Sequence, residues 1–159
     1  MPLDKVDNKM KEGESITSDQ LKKEWANVLS TFDLFIDGGH KLRPIRFIVR
    51  HIIEQGYDKV LFPGTSLYSL LISIPIDNKV NYNMTLQIKF DELTEELKFK
   101  FSDWTGMDRH STDRHSTDLK KQIKWEETCQ ATEGGSLLDN FLTDNEDFKK
   151  VISEKTKVE

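Results

Sequence analysis

The chain has 159 residues and a formal net charge of −5, with 36% hydrophobic and 32% charged side chains. That length fits one domain with a sizeable core, and no apolar run approaches the length that spans a bilayer. The acidic excess disfavours general nucleic-acid binding, which depends on neutralising phosphates, so we expect neither a nucleic-acid nor a membrane partner.

The first sixteen residues show no periodicity and are predicted to form a disordered N-terminal tail. They also contain no apolar segment of the kind that a secretory signal needs. A single cysteine, Cys129, excludes an internal disulfide framework and agrees with a reducing compartment. We therefore expect a cytoplasmic protein.

Two helices are predicted in the first third of the chain. Thr17 followed by Gln20 is a capping signal, and the helix behind it should end at Gly38-Gly39. A second helix is predicted from about Pro44, which suits a first-turn position, to Gly56. The apolar residues with helical spacing are Leu21, Trp25, Val28, Leu29, Phe32, Phe35 and Ile36 in the first helix and Ile45, Ile48, Val49, Ile52 and Ile53 in the second.

Beyond Gly56 the apolar period changes to two, which predicts strands. The segments "DKVLF" and "SLYSLLISIPI" are interpreted as a hairpin with its turn at Pro63-Gly64. Residues 83–90 and 97–102 alternate polar and apolar side chains, as half-buried strands do. A fifth strand near residues 119–129 would put Ile123, Trp125 and Cys129 on one side.

A last apolar helical face runs from Leu137 to Ile152, with a break expected near Asp144-Asn145. The resulting order predicts an α+β fold, an antiparallel five-stranded meander with two N-terminal helices and a C-terminal helix packed on it. The domain is expected to span residues 17–153, followed by a loose C-terminal tail at 154–159.

The pentapeptide Asp-Arg-His-Ser-Thr occurs twice between the last two predicted strands, at 108–112 and 113–117. Its weak candidates for metal ligands are Asp108, His110, Asp113 and His115. Histidines five apart lie about 140° apart on a helix and on opposite faces of a strand, and the spacing fits neither zinc-helix nor calcium-loop templates. We interpret the repeat as a duplication in a surface loop, which costs little free energy, and expect no metal or cofactor.

The second predicted helix carries a stripe of arginines on its polar side. Arg43, Arg46 and Arg50 are spaced i, i+3 and i+7, and Phe47 falls on the same side, away from the isoleucines. Arginine and aromatic residues are enriched in protein interfaces. The four residues are therefore candidates for binding a protein partner or a second copy of the chain. The alternative is a solvated face in which Arg50 pairs with Glu54 and Phe47 is covered by a loop.

These observations favour a small non-catalytic protein-binding or regulatory module. Cys129, next to Trp125 in an apolar pattern, is expected to be a buried hydrophobe rather than a nucleophile. Two alternatives stay open: a metal-dependent hydrolase that uses the His/Asp loop, and a small-ligand-binding domain. The latter would have a pocket between sheet and helices, lined by aromatic residues such as Trp104 and Trp125.

Overall fold

The computed structural model describes residues 10–105 and 122–158, with side chains described as far as residue 154. Five strands form one sheet in chain order, and each neighbouring pair is antiparallel. The predicted α+β meander is therefore confirmed. The elements of the described residues are α1 (Ser18–Asp37), α2 (Arg43–Gln55), β1 (Phe62–Ser66), β2 (Ser69–Ser73), β3 (Met84–Asp91), β4 (Glu96–Asp103), β5 (Ile123–Gln130), α3 (Gly134–Asp144) and α4 (Glu146–Val158).

Both N-terminal helices begin and end where the sequence predicts. The Thr17 hydroxyl accepts a hydrogen bond from the Gln20 N–H at 3.2 Å, which satisfies one of the free donors of the first turn. α2 has Pro44 in its first turn and ends at Gly56, whose φ of 81° is a left-handed conformation that favours glycine. Local capping signals therefore set these boundaries.

One hydrophobic cluster joins the helices to one face of the sheet. Its largest members are fully buried, and burying each such side chain contributes about 1.5–3 kcal/mol. Trp25 also satisfies its polar atom, because the indole N–H donates to the Leu61 carbonyl oxygen at 2.8 Å. The buried members are Trp25, Val28, Phe32, Leu42, Ile45, Ile48, Val49, Ile52, Leu61, Leu70, Ile72, Ile74, Leu86, Ile88, Leu97, Phe99, Phe101, Leu138, Phe141, Leu142 and Phe148.

The prediction of a disordered tail over residues 1–16 is wrong for residues 10–16. Met10 and Ile16 are buried in a second, smaller hydrophobic cluster with Phe62 and Val80. The backbone there pairs with the β2–β3 connection, since the Val80 N–H donates to Glu14 and the Gly13 N–H donates to Val80. The sequence pattern missed this because two isolated apolar residues have no period. Residues 1–9 lie outside the described part of the chain.

The turn predicted at Pro63-Gly64 is also wrong. Both residues lie inside β1, where Pro63 pairs with Ile72, and the turn is formed by Leu67 and Tyr68. β1 is the first strand of the sheet, and proline is tolerated on such an edge because one side of the strand needs no N–H donor.

β5 contains an irregularity that changes one predicted face. Phe101 pairs with Trp125 and Ser102 with Ile123, so Lys124 is an extra residue in β5. Trp125 and Cys129 pack on the main cluster as predicted, whereas Ile123 is not among its members. The bulge therefore separates Ile123 from the side that Trp125 and Cys129 share.

The C-terminal helical region is divided where the sequence predicts a break. Asn145 separates α3 from α4, and its side-chain oxygen accepts the Phe148 N–H at 3.1 Å, as an N-terminal cap does. The helical backbone of α4 continues to Val158, so the predicted loose tail at 154–159 is wrong for the backbone of 154–158. No helix in 10–105 or 122–158 combines the length and apolar character that crossing a bilayer requires.

Candidate functional site

An open groove of about 590 Å³ lies between α1 and α2 and contains all four predicted binding residues. α2 contributes Arg43, Arg46, Phe47 and Arg50, and α1 contributes two carboxylates and an isoleucine, Asp33, Asp37 and Ile36. We call these seven residues the arginine groove. Three arginines against two aspartates give it a formal charge of +1 in a chain whose net charge is −5.

The orientation of α2 follows from its buried side. Ile45, Ile48, Val49 and Ile52 are completely buried and recur at helical spacing, so they fix which side of the helix faces the sheet. The arginines and Phe47 occupy the opposite side for the same reason. The helical spacing in the sequence therefore placed the arginine stripe on a solvent-facing surface.

The three arginines have different environments. The Arg46 Nε donates a hydrogen bond to the Asp33 carboxylate on α1, and both side chains are partly exposed. An exposed pair of this kind contributes at most about 1 kcal/mol. Arg43 and Arg50 form no ion pair with any residue in the described part of the chain, and Glu54 does not pair with Arg50 there.

Phe47 is a large apolar residue that lies exposed on this surface. Its exposed fraction is 63%, whereas the next residue, Ile48, is fully buried. Single exposed apolar residues are common on protein surfaces. This one lies among three arginines, which is the composition found at the centre of many interfaces.

A second polar cluster joins α2 to α3. The His51 Nε2 lies 2.9 Å from the Asp139 Oδ1, and the Tyr57 hydroxyl donates to the same oxygen at 3.0 Å. Burial and the Asp139 carboxylate raise the pKa of Tyr57 to about 12, so the phenol keeps its proton near neutral pH. This cluster attaches α3 to α2.

Nothing in the sequence analysis indicated this cluster. Asp139 lies 88 residues from His51 in the sequence and belongs to another helix. No local spacing signal connects residues that far apart.

The candidates for covalent and metal chemistry fall into two groups. Asp108, His110, Asp113 and His115 lie outside the described residues, and within 10–105 and 122–158 no group of three potential ligands comes together. Burial, with the nearby carboxylates of Glu133, Glu127 and Glu96, raises the pKa of the Cys129 thiol. A raised pKa reduces the thiolate fraction, which is the nucleophilic form.

The pocket expected for a small ligand has a partial counterpart. An open groove of about 420 Å³ lies between β5 and α3. Trp125 lines it together with Phe141 and Leu137, but Trp104 is not among its lining residues. The two tryptophans named as examples of lining residues therefore do not share this groove.

The fold and the arginine groove together define the class of this protein. It is an α+β protein with an antiparallel meander, and its helix α2 displays a positively charged face. Comparison of the chain with protein-family models, with curated proteins and with solved structures gave no match.

Proposed function

We propose that this chain is a non-catalytic protein-binding module that captures an acidic surface of another protein with the arginine groove. The observation that carries the proposal is the exposure of Phe47, 63%, between Arg43 and Arg50, which have no ion-pair partner among the described residues. An aromatic side chain supplies apolar contact area, and the flanking guanidinium groups supply charge and hydrogen-bond donors.

The position of Arg43 supports a role outside helix stability. It is the first residue of α2, and the first turn contains no acidic side chain. A positive charge at a helix N-terminus is unfavourable, typically by about 0.3–1 kcal/mol, because the helix dipole is positive there. An acidic partner would interact favourably with both the Arg43 guanidinium group and the positive end of the helix dipole.

Arg46 is positioned for a partner by α1. Asp33 accepts a hydrogen bond from its Nε, which leaves the two terminal nitrogen groups without a hydrogen bond to described residues. Fixing a guanidinium group in advance reduces the side-chain entropy lost on binding. A partner carboxylate could then accept both remaining groups in the paired geometry that arginine favours.

The proposed setting is the reducing cytoplasm, because Cys129 is the only cysteine in the chain. The regulatory consequence of binding would be occupation of the acidic surface of the partner. Charges of opposite sign also raise association rates, and this effect weakens as salt is added.

Photo-crosslinking in the native cell tests the proposal. A photoreactive phenylalanine analogue replaces Phe47, and a matched chain carries it in place of Leu93, which is 96% exposed in the β3–β4 turn. We expect irradiation to join a protein with an acidic contact surface to position 47 and not to position 93. The same adducts from both positions, or none from position 47, would overturn the proposal.

A further inference from the structure

The positive charges of the arginine groove have a defined spacing along α2. Arg43, Phe47 and Arg50 lie within about 60° of one another around the helix axis, and the two arginines are about 10.5 Å apart along it. Phe47, which is 63% exposed, lies between them. Glu54 occupies the next place on the same side, so the positive charge ends after two turns.

A partner that contacts both arginines must repeat this spacing. Residues seven apart on a helix are also about 10.5 Å apart and lie on nearly the same side, with residues three and four apart between them. An extended chain advances about 3.3 Å per residue, so the same distance corresponds to about three residues, whose end side chains point to opposite faces. A helix therefore matches the arginines and Phe47 together, whereas an extended peptide does not.

The shape and charge of the groove also fit a helix. The groove lies between two helices, and a third helix can pack against both at about 8–10 Å between axes. On the α1 side, Ile36 adds apolar surface and Asp33 is already bonded to Arg46. Asp37 forms no ion pair with any residue the structure describes. Two unpaired arginines against one unpaired aspartate leave a net attraction for acidic side chains.

The N-terminal end of α2 lies at the end of the sheet that contains the β3–β4 turn. The Lys41 N–H, just before α2, donates to the Glu92 carboxylate in that turn. Met10, where the described chain begins, and Trp104, close to residues 106–121, instead contact residues that immediately precede β3. Because β3 has eight residues, the two ends are roughly 25 Å apart. The groove therefore begins far from both of these points.

We propose that the arginine groove binds an acidic amphipathic helix of another protein. The helix carries two carboxylates seven residues apart on one face, opposite Arg43 and Arg50, and apolar side chains between them that contact Phe47. This inference rests on the proposed function, since it specifies the form of the acidic surface that the groove captures.

The test uses the full chain and three synthetic peptides of about twenty residues with capped ends, rich in alanine and glutamine so that they form helices in water. The first carries glutamates seven residues apart with two leucines midway between them. The second has the same composition, but its glutamates are nine residues apart and lie on opposite sides of the helix. The third keeps the first spacing and contains prolines that prevent a helix. NMR amide shifts of the chain report where each peptide binds.

We expect the first peptide to shift the amides of residues 33–37 and 43–50 and to bind at least about tenfold more tightly than the other two. Equal binding of all three peptides in the groove would overturn the helical occupant and leave the capture of acidic surfaces intact. Absence of shifts in the groove with every peptide would overturn the helical occupant and contradict the proposed function as well.

A charge exchange separates a docked helix from simple charge attraction. Arg50→Glu should weaken binding of the first peptide at least about tenfold, whereas Lys150→Glu, an exposed change of equal charge on α4, should not. Lysine in place of one peptide glutamate should restore binding to the Arg50→Glu chain, and lysine in place of the other should not, because a docked helix puts only one of them beside position 50. Equal recovery with both lysine peptides, or equal effects of both substitutions, would overturn the proposal.

Discussion

Replacing Phe47 with alanine should weaken partner binding much more than it lowers the free energy of unfolding. Full burial of a phenylalanine contributes about 1.5–3 kcal/mol, but Phe47 is 63% exposed, so a little over a third of that contribution is available to the fold. Phe47→Ala should therefore lower the free energy of unfolding by about 0.5–1 kcal/mol, a shift in Tm of only a few degrees for a chain of this size.

The adjacent residue provides a matched control for this prediction. Ile48 is fully buried in the main cluster, so Ile48→Ala should cost about 2–5 kcal/mol. Urea denaturation followed by far-UV circular dichroism measures both variants under one condition.

Partner binding, unlike the free energy of unfolding, should depend strongly on Phe47. If Phe47 is a central contact, Phe47→Ala should weaken capture of the crosslinked partner by about 2 kcal/mol, or roughly 30-fold in Kd. Calorimetric titration measures that change. A loss of stability as large as that of Ile48→Ala, or an unchanged Kd, would refute the reasoning.

Three further predictions concern the packing of the fold and the reactivity of its cysteine. Gly134→Ala should lower the free energy of unfolding by about 1–3 kcal/mol in thermal denaturation, because an added Cβ would lie 2.6 Å from a buried leucine side chain. Gly135→Ala, whose added Cβ has its nearest contact at 3.6 Å, should be neutral or slightly stabilising. Equal effects of the two substitutions would contradict the packing of α3. Trp25→Phe should cost about 1–3 kcal/mol in urea denaturation, because it leaves the buried Leu61 carbonyl without its donor, and a neutral result would contradict that bond. Cys129 should react with a disulfide reagent more slowly at pH 8 in the folded chain than in urea, because its raised pKa keeps more of it protonated, and faster reaction in the folded chain would contradict that environment.

The sequence predicted those features that depend on local signals. Thr17 and Gly56 mark helix ends through capping and left-handed geometry, and Asn145 marks a break through its side-chain oxygen. Strict alternation identified the central strands, whose one face is buried.

The errors arise where tertiary packing decides the local structure. Pro63-Gly64 resembles a turn, but β1 is an edge strand that tolerates proline. The turn instead contains Tyr68, whose ring packs 4.9 Å from that of Phe35 on α1. Leu67 adopts a positive φ of 55° there, which is uncommon for such a residue and gave no sequence signal.

The candidate site divides in the same way. Helical spacing alone put Arg43, Phe47 and Arg50 on one exposed face of α2. The Arg46–Asp33 hydrogen bond depends instead on how α1 and α2 pack together, and spacing within one helix contains no information about that.

The affinity of the crosslinked partner for Arg43→Glu/Arg50→Glu, measured at low and at physiological salt, tests the central claim most directly. Both substitutions lie on exposed positions without ion pairs among the described residues, so the fold should be retained. Capture of an acidic surface predicts that affinity falls at least about tenfold and that the salt dependence seen with the unmodified chain becomes weaker or reverses. An unchanged affinity with an unchanged salt dependence would show that the partner binds elsewhere.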